Sequence, residues 1–97
     1  ASFSRLALQK KKRWDGVWRI VLFDIPDRHK WAREGFRDRL LRLGMYCMQE
    51  SVLVTPHPCE EEIAFLIYAF SVAPYVRFIR TRELSNDDDL KEQFKLL

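Results

Sequence analysis

Asp24 closes the apolar run Val17 to Phe23 and is followed at once by Ile25-Pro26-Asp27. A carboxylate fixed at the end of a buried strand, and doubled by a two-fold axis, can hold one Mg²⁺ with waters and a phosphate. That is the chemistry of metal-assisted phosphodiester cleavage. An aspartate in this place also has a simpler use, accepting hydrogen bonds from backbone amides of the Ile25-Pro26 turn. Gln49 and Ser51 offer polar support beside it, for a phosphate or a water. They serve equally to satisfy free backbone groups where a strand kinks. The third feature is cationic. Arg28, Lys30, Arg33, Arg37, Arg39 and Arg42 stand against only Glu34 and Asp38, and Lys10, Lys11, Lys12 and Arg13 form a run ahead of them. Phosphate backbones need such charges, and binding through them is salt-sensitive and largely blind to sequence. The same residues also make an ordinary solvated helix face with internal ion pairs.

No other constellation in the sequence has catalytic spacing. His29 reads as a surface residue and His57 as a turn residue between Pro56 and Pro58. Cys47 and Cys59 are too few for a disulfide framework and match no zinc pattern, so they read as reduced thiols. There is no glycine-rich phosphate loop and no nucleophile–base pair. Trp14, Trp18 and Trp31 suit core or interface anchors better than ligand cages.

These residues need a scaffold to hold them. The 97 residues suffice for one domain, and a 47% hydrophobic share suffices for a core. Chains this short bury a smaller share of their surface, so association often supplements their stability. The formal charge of +3 is a mild excess that favours a polyanionic partner. No apolar run approaches the roughly 18–20 residues of a membrane span, and no signal-peptide pattern opens the chain. The expectation is a cytoplasmic protein with no membrane partner. Residues 1–13 read as a basic linker or arm, the tail of something upstream, and 14–97 as the folded domain.

Within that domain, Trp14-Asp15-Gly16 is a turn signal. Val17 to Phe23 is apolar on both alternating faces, as a strand buried on two sides is. Asp27 is a candidate helix N-cap. Ala32, Phe36, Leu40 and Leu43 then form one helical stripe, and Gly44 sits where a helix ends. Met45–Gln49 and Ser51–Thr55 read as two strands. Glu60, Glu61 and Glu62 suit the first turn of a helix whose stripe is Ile63, Leu66, Ile67 and Phe70, with Pro74 ending the segment. Tyr75–Arg82 alternates as an edge strand does, and Ser85 to Asp89 starts a short last helix. The order β-α-β-β-α-β with right-handed crossovers is a ferredoxin-like α+β sandwich, with its first and third strands central. Both helices would cover one sheet face. The other, carrying Trp18, Ile20 and Leu22, is then left without cover by this chain, and a second copy is the simplest one.

The stretch Trp14-Asp15-Gly16-Val17-Trp18-Arg19 through Phe23-Asp24-Ile25-Pro26 resembles the opening of the central domain of the PaaX-type transcriptional repressors. Leu43-Gly44, Gln49-Glu50-Ser51-Val52-Leu53-Val54 and Pro56-His57-Pro58 continue the match. That domain is similar to Cas-two, the small CRISPR adaptation protein that partners the Cas integrase. There a strand ending in aspartate precedes a helix, a glycine and a Gln-x-Ser-Val stretch, a pattern met by Asp24, Gly44, Gln49, Ser51 and Val52. The resemblance covers residues 14 to about 82. It implies a homodimer, built here through Trp18, Ile20 and Leu22, and association with DNA or RNA. Phosphate contacts are expected from Lys10, Lys11, Lys12, Arg13, Arg28, Arg33 and Arg37. The repressor branch implies a dimerisation and nucleic-acid-associated module of a transcriptional regulator, without catalysis. The Cas-two branch implies a Mg²⁺-dependent endonuclease using Asp24 from each subunit, or a spacer-acquisition scaffold bound to the integrase. The basic arm and the acidic tail after residue 82 depart from Cas-two and favour the repressor branch.

Overall fold

The computed structural model describes residues 13–96, so Lys10, Lys11 and Lys12 lie outside the described residues. The elements are β1 (Trp18–Phe23), α1 (Lys30–Arg42), β2 (Tyr46–Gln49), β3 (Val52–Thr55), α2 (Glu60–Phe70), β4 (Val76–Thr81) and α3 (Asp88–Gln93). Short 3₁₀ turns at Asp27–His29 and Ala73–Tyr75 lead into α1 and β4. The strands form one four-stranded sheet in the order β2-β3-β1-β4, antiparallel throughout. This is the expected ferredoxin-like α+β sandwich, and the two most uniformly apolar strands are its centre.

Strand alternation divides β1 between two cores. Val21 and Phe23 face the helix layer and join Phe36 and Leu40 of α1, Ile63 and Leu66 of α2, and Leu53 of β3. Phe23 meets Phe36 edge-on at 5.4 Å, the arrangement the ring quadrupoles favour. The two helices touch where Gly35 lies under the Phe70 ring; a Cβ added there would come within 2.5 Å of Phe70 Cε1. A glycine inside a helix costs about 1 kcal/mol against alanine, and this close approach is what the residue provides in return.

All three α-helices end the same way. In α1, Met45 N–H donates to Leu40 O and Gly44 N–H to Leu41 O, with Gly44 at φ +104°. This bond pair satisfies carbonyls that a helix end otherwise leaves open. At α2 the left-handed residue is Ser71 (φ 55°), and at α3 it is Lys95 (φ 58°). The α2 stop therefore comes before Pro74, which lies in the following 3₁₀ turn. At the start of α1, Asp27 is not the N-cap, because its carboxylate is drawn to Arg33.

The second face of β1 corrects an expectation. Trp18, Ile20 and Val54 are buried by the chain's own C-terminal segment, through Leu84, Leu90, Phe94 and Leu96, with Trp14 closing the side. Trp18 is 0% exposed and Ile20 7%, so neither is free to form a dimer surface. The cover thought to be missing is α3. Leu90 of α3, with Leu84, Phe94 and Leu96 on either side of the helix, packs across β1 and β3, and Trp18 Nε1–H donates to the Asp87 carboxylate at 3.0 Å. The cover stops short. Leu22, Met48 and Val52 stay half-buried, and Ile79, which pairs in register with Ile20, is 44% exposed.

Candidate functional site

The C-terminal end of β1 gathers the sequence-predicted residues from four directions. Phe23 N–H donates to Ser51 O in the β2–β3 turn at 3.1 Å, and Asp24 N–H donates to Tyr75 O at 2.9 Å. These bonds pin the Asp24 backbone between two loops, one residue beyond the last Phe23–Val76 ladder pair. The Asp24 side chain is exposed and makes no hydrogen bond or ion pair with any described residue. The simpler use, as an acceptor for turn amides, is thus not the one found. Ile25, which follows it, is buried and plugs the loop into the core.

Two arginines of α1 hold the loops on either side. Arg33 Nη1 donates to Ile25 O at 3.1 Å and to the Asp27 carboxylate at 2.8 Å. Its guanidinium holds the Asp27 carboxyl below the usual range. One turn on, Arg37 Nε donates to Glu50 O at 3.0 Å and Nη2 approaches Cys47 Sγ at 3.4 Å. The Cys47 thiol donates to Gln49 O at 3.0 Å. The kinked turn is therefore satisfied by Arg37 and Cys47, not by the side chains of Gln49 and Ser51. Gln49 is exposed at the end of β2, beside a register shift, and Ser51 contributes its carbonyl. Arg33 and Arg37 emerge as loop staples, a role that charge counting does not reveal. Arg28 is exposed and reaches only the Tyr75 hydroxyl, at 3.5 Å, and Arg13 is exposed at the far end of the domain. On the outer face of α1, Lys30–Glu34 and Arg42–Asp38 are i, i+4 pairs.

The most specific motif proves architectural. Asp15 accepts the Val17 N–H at 3.0 Å after Gly16, which adopts φ +82°. Its two oxygens receive Arg19 Nη1 at 3.0 Å and Nη2 at 2.7 Å, a bidentate fork. Arg19 is 5% exposed and also donates to Val17 O and Pro56 O, while its Nε finds no partner. The Trp14 indole N–H donates to Val17 O, and the Trp14 and Trp18 rings lie 4.8 Å apart. Each residue of the Trp-Asp-Gly-x-Trp-Arg opening thus fixes the entry to β1 or the seat of α3. The Cys59 thiol lies in the core, where burial pushes it up to about 12, so it stays protonated.

No helix among the described residues is long and apolar enough to cross a membrane. The β2-β3-β1-β4 sheet, the helix layer on one face and the aspartate at the strand end define a Cas-two-like ferredoxin fold. The sequence profile of the PaaX protein central Cas2-like domain matches residues 11–93. The chain therefore belongs to that family. No curated protein matches it.

Proposed function

We propose that this chain is the dimerising, nucleic-acid-associated module of a PaaX-type transcriptional regulator. The observation that carries the reading is the half-covered sheet face. Leu22, Met48 and Val52, half-buried, and Ile79, exposed, form an apolar strip that the chain leaves partly open, in a family whose central domain is Cas2-like. Leaving apolar surface wet costs about 25 cal/mol per Å², so such a strip favours a partner. The polyanion enters through charge. The net excess is small, but Arg28 is free of protein acids and the run Lys10 to Arg13 adds four cations. Titration of labelled duplexes of unrelated sequence at several salt concentrations tests this part. Similar affinities that fall steeply with salt support the reading. Salt-indifferent binding, or none, counts against it.

A second reading, a metal-dependent endonuclease or adaptation scaffold, is favoured by one observation: the Asp24 carboxylate is exposed and unpartnered among the described residues. Among those residues no cluster of three or more His, Cys, Asp or Glu could hold a metal. A Mg²⁺ there fits only as an ion shared by Asp24 from two copies, with waters completing its shell, a sparse ligand set that Mg²⁺ accepts. Cleavage of RNA or DNA that requires Mg²⁺ or Mn²⁺ and vanishes in Asp24→Asn would favour this reading over the first.

A further inference from the structure

We infer that the open half of the sheet face is self-complementary in charge, and that a second copy of this chain seats on it through reciprocal contacts between Asp24 of each copy and Arg77 of the other. The inference rests on the dimer reading above and names its contacts. Strand alternation puts Trp18, Ile20, Leu22 and Asp24 on one face, and the antiparallel register pairs Leu22 with Arg77 and Ile20 with Ile79. Asp24 and Arg77 therefore flank the same end of the apolar strip, on the face turned away from α1 and α2. Both are exposed, and neither side chain makes an ion pair or hydrogen bond within the described residues. This sets them apart from the charged residues nearest them along β1, β4 and their flanking turns. Asp15 and Asp27 are paired with Arg19 and Arg33, and Arg80 on the same strand as Arg77 is paired with Glu60. Arg82 donates to Asp15 O. An unpaired acid and an unpaired base beside one apolar strip are what a two-fold interface uses, because residue i meets j and j meets i. Each interface then holds two ion pairs at the rim of Leu22, Met48, Val52 and Ile79. The charges set register and orientation while the apolar residues supply affinity. The same contact gives Asp24 a role that needs neither metal nor cleavage.

A charge-swap cycle on the whole chain tests this by sedimentation equilibrium. Asp24→Arg and Arg77→Asp each place like charges opposite one another, twice per interface, and should weaken the dimer by about tenfold or more. The double variant Asp24→Arg/Arg77→Asp should restore the dimer to within about threefold of the parent, which no independent pair of defects would do. Both sites are exposed, and circular dichroism checks that the variants stay folded. EDTA should leave the parent dimer unchanged. A parent that is monomeric throughout would overturn the dimer reading and the inference with it. A parent dimer indifferent to the single reversals, or a double variant as weak as the singles combined, would overturn this inference alone. So would a dimer that requires Mg²⁺, since Asp24 would then be held by an ion.

Discussion

Arg19 is the least ordinary residue of the core, a charge with 5% of its surface exposed and a single acid, Asp15, to answer it. Removing one partner of such a pair costs far more than the pair contributes, because the other charge stays buried. Asp15→Ala should lower stability by about 2–3 kcal/mol in a urea titration. The pair also fixes an acid response. Hydrogen bonding from Arg19 holds the Asp15 carboxyl below its ordinary value. Its folded pKa thus lies under the unfolded value of about 3.9, so its contribution is complete above that pH. It is lost as pH falls through the folded value. Stability of the parent should drop more steeply than that of Asp15→Ala below about pH 4. At the same scale, Arg37→Ala frees the Cys47 thiol from its Arg37 contact and opens the β2–β3 turn. Losing the Arg37 Nε bond to Glu50 O should lower stability in a urea titration by about 1 kcal/mol.

Among the elements, the helix ends and the tail are where local rules and packing part company. Ser71 occupies a left-handed position that favours glycine, and its side chain has no described hydrogen bond in return. Ser71→Gly should raise stability by about 0.5 kcal/mol, seen as a small upward shift of the urea midpoint. The α3 seat depends on Trp18 and Asp87. Asp87→Ala would leave a buried indole N–H unpaired, at a cost of about 1–3 kcal/mol. Trp18 emission should move to longer wavelength as the tail loosens. Much of this level was legible in the sequence. The strand order followed from the uniformly apolar Val17–Phe23 and Val52–Val54, and the α1 stop from Gly44. The tail was not, although Leu90 and Phe94 stand one helical turn apart and Leu84 precedes them. Six helical residues carry too short a pattern to say which surface they bury, and only the fold shows Trp18 waiting beneath them. The roles of Arg33 and Arg37 were hidden for another reason. A sequence does not distinguish an arginine that reaches solvent from one that reaches a carbonyl eight or thirteen residues away. Nor could it reveal that the Trp-Asp-Gly-x-Trp-Arg signature, its most specific motif, is spent on architecture.

At the scale of the whole molecule, one face of the sheet is closed by helices and the other is closed only in part. The half-covered face separates the two functions proposed for the domain. Self-association belongs to the apolar strip, and polyanion binding belongs to cations elsewhere, chiefly Arg28 and the run Lys10 to Arg13. Replacing Arg28 and Lys10–Lys12 by alanine should weaken binding to unrelated duplexes alike. It should also flatten the log–log salt dependence, by about 0.9 for each phosphate no longer neutralised. The chain should meanwhile keep its dimer mass. Whether the open strip seats a second copy is tested most directly by the mass of the parent and of Ile79→Glu at equal micromolar concentration in the ultracentrifuge. Ile79 is 44% exposed, so a carboxylate there is tolerated by the monomer and not by an interface. Twice the 11.7 kDa chain mass is expected for the parent, and the single chain mass for Ile79→Glu. A monomeric parent would contradict the dimer, and a dimer that Ile79→Glu leaves intact would contradict its seat on the open strip.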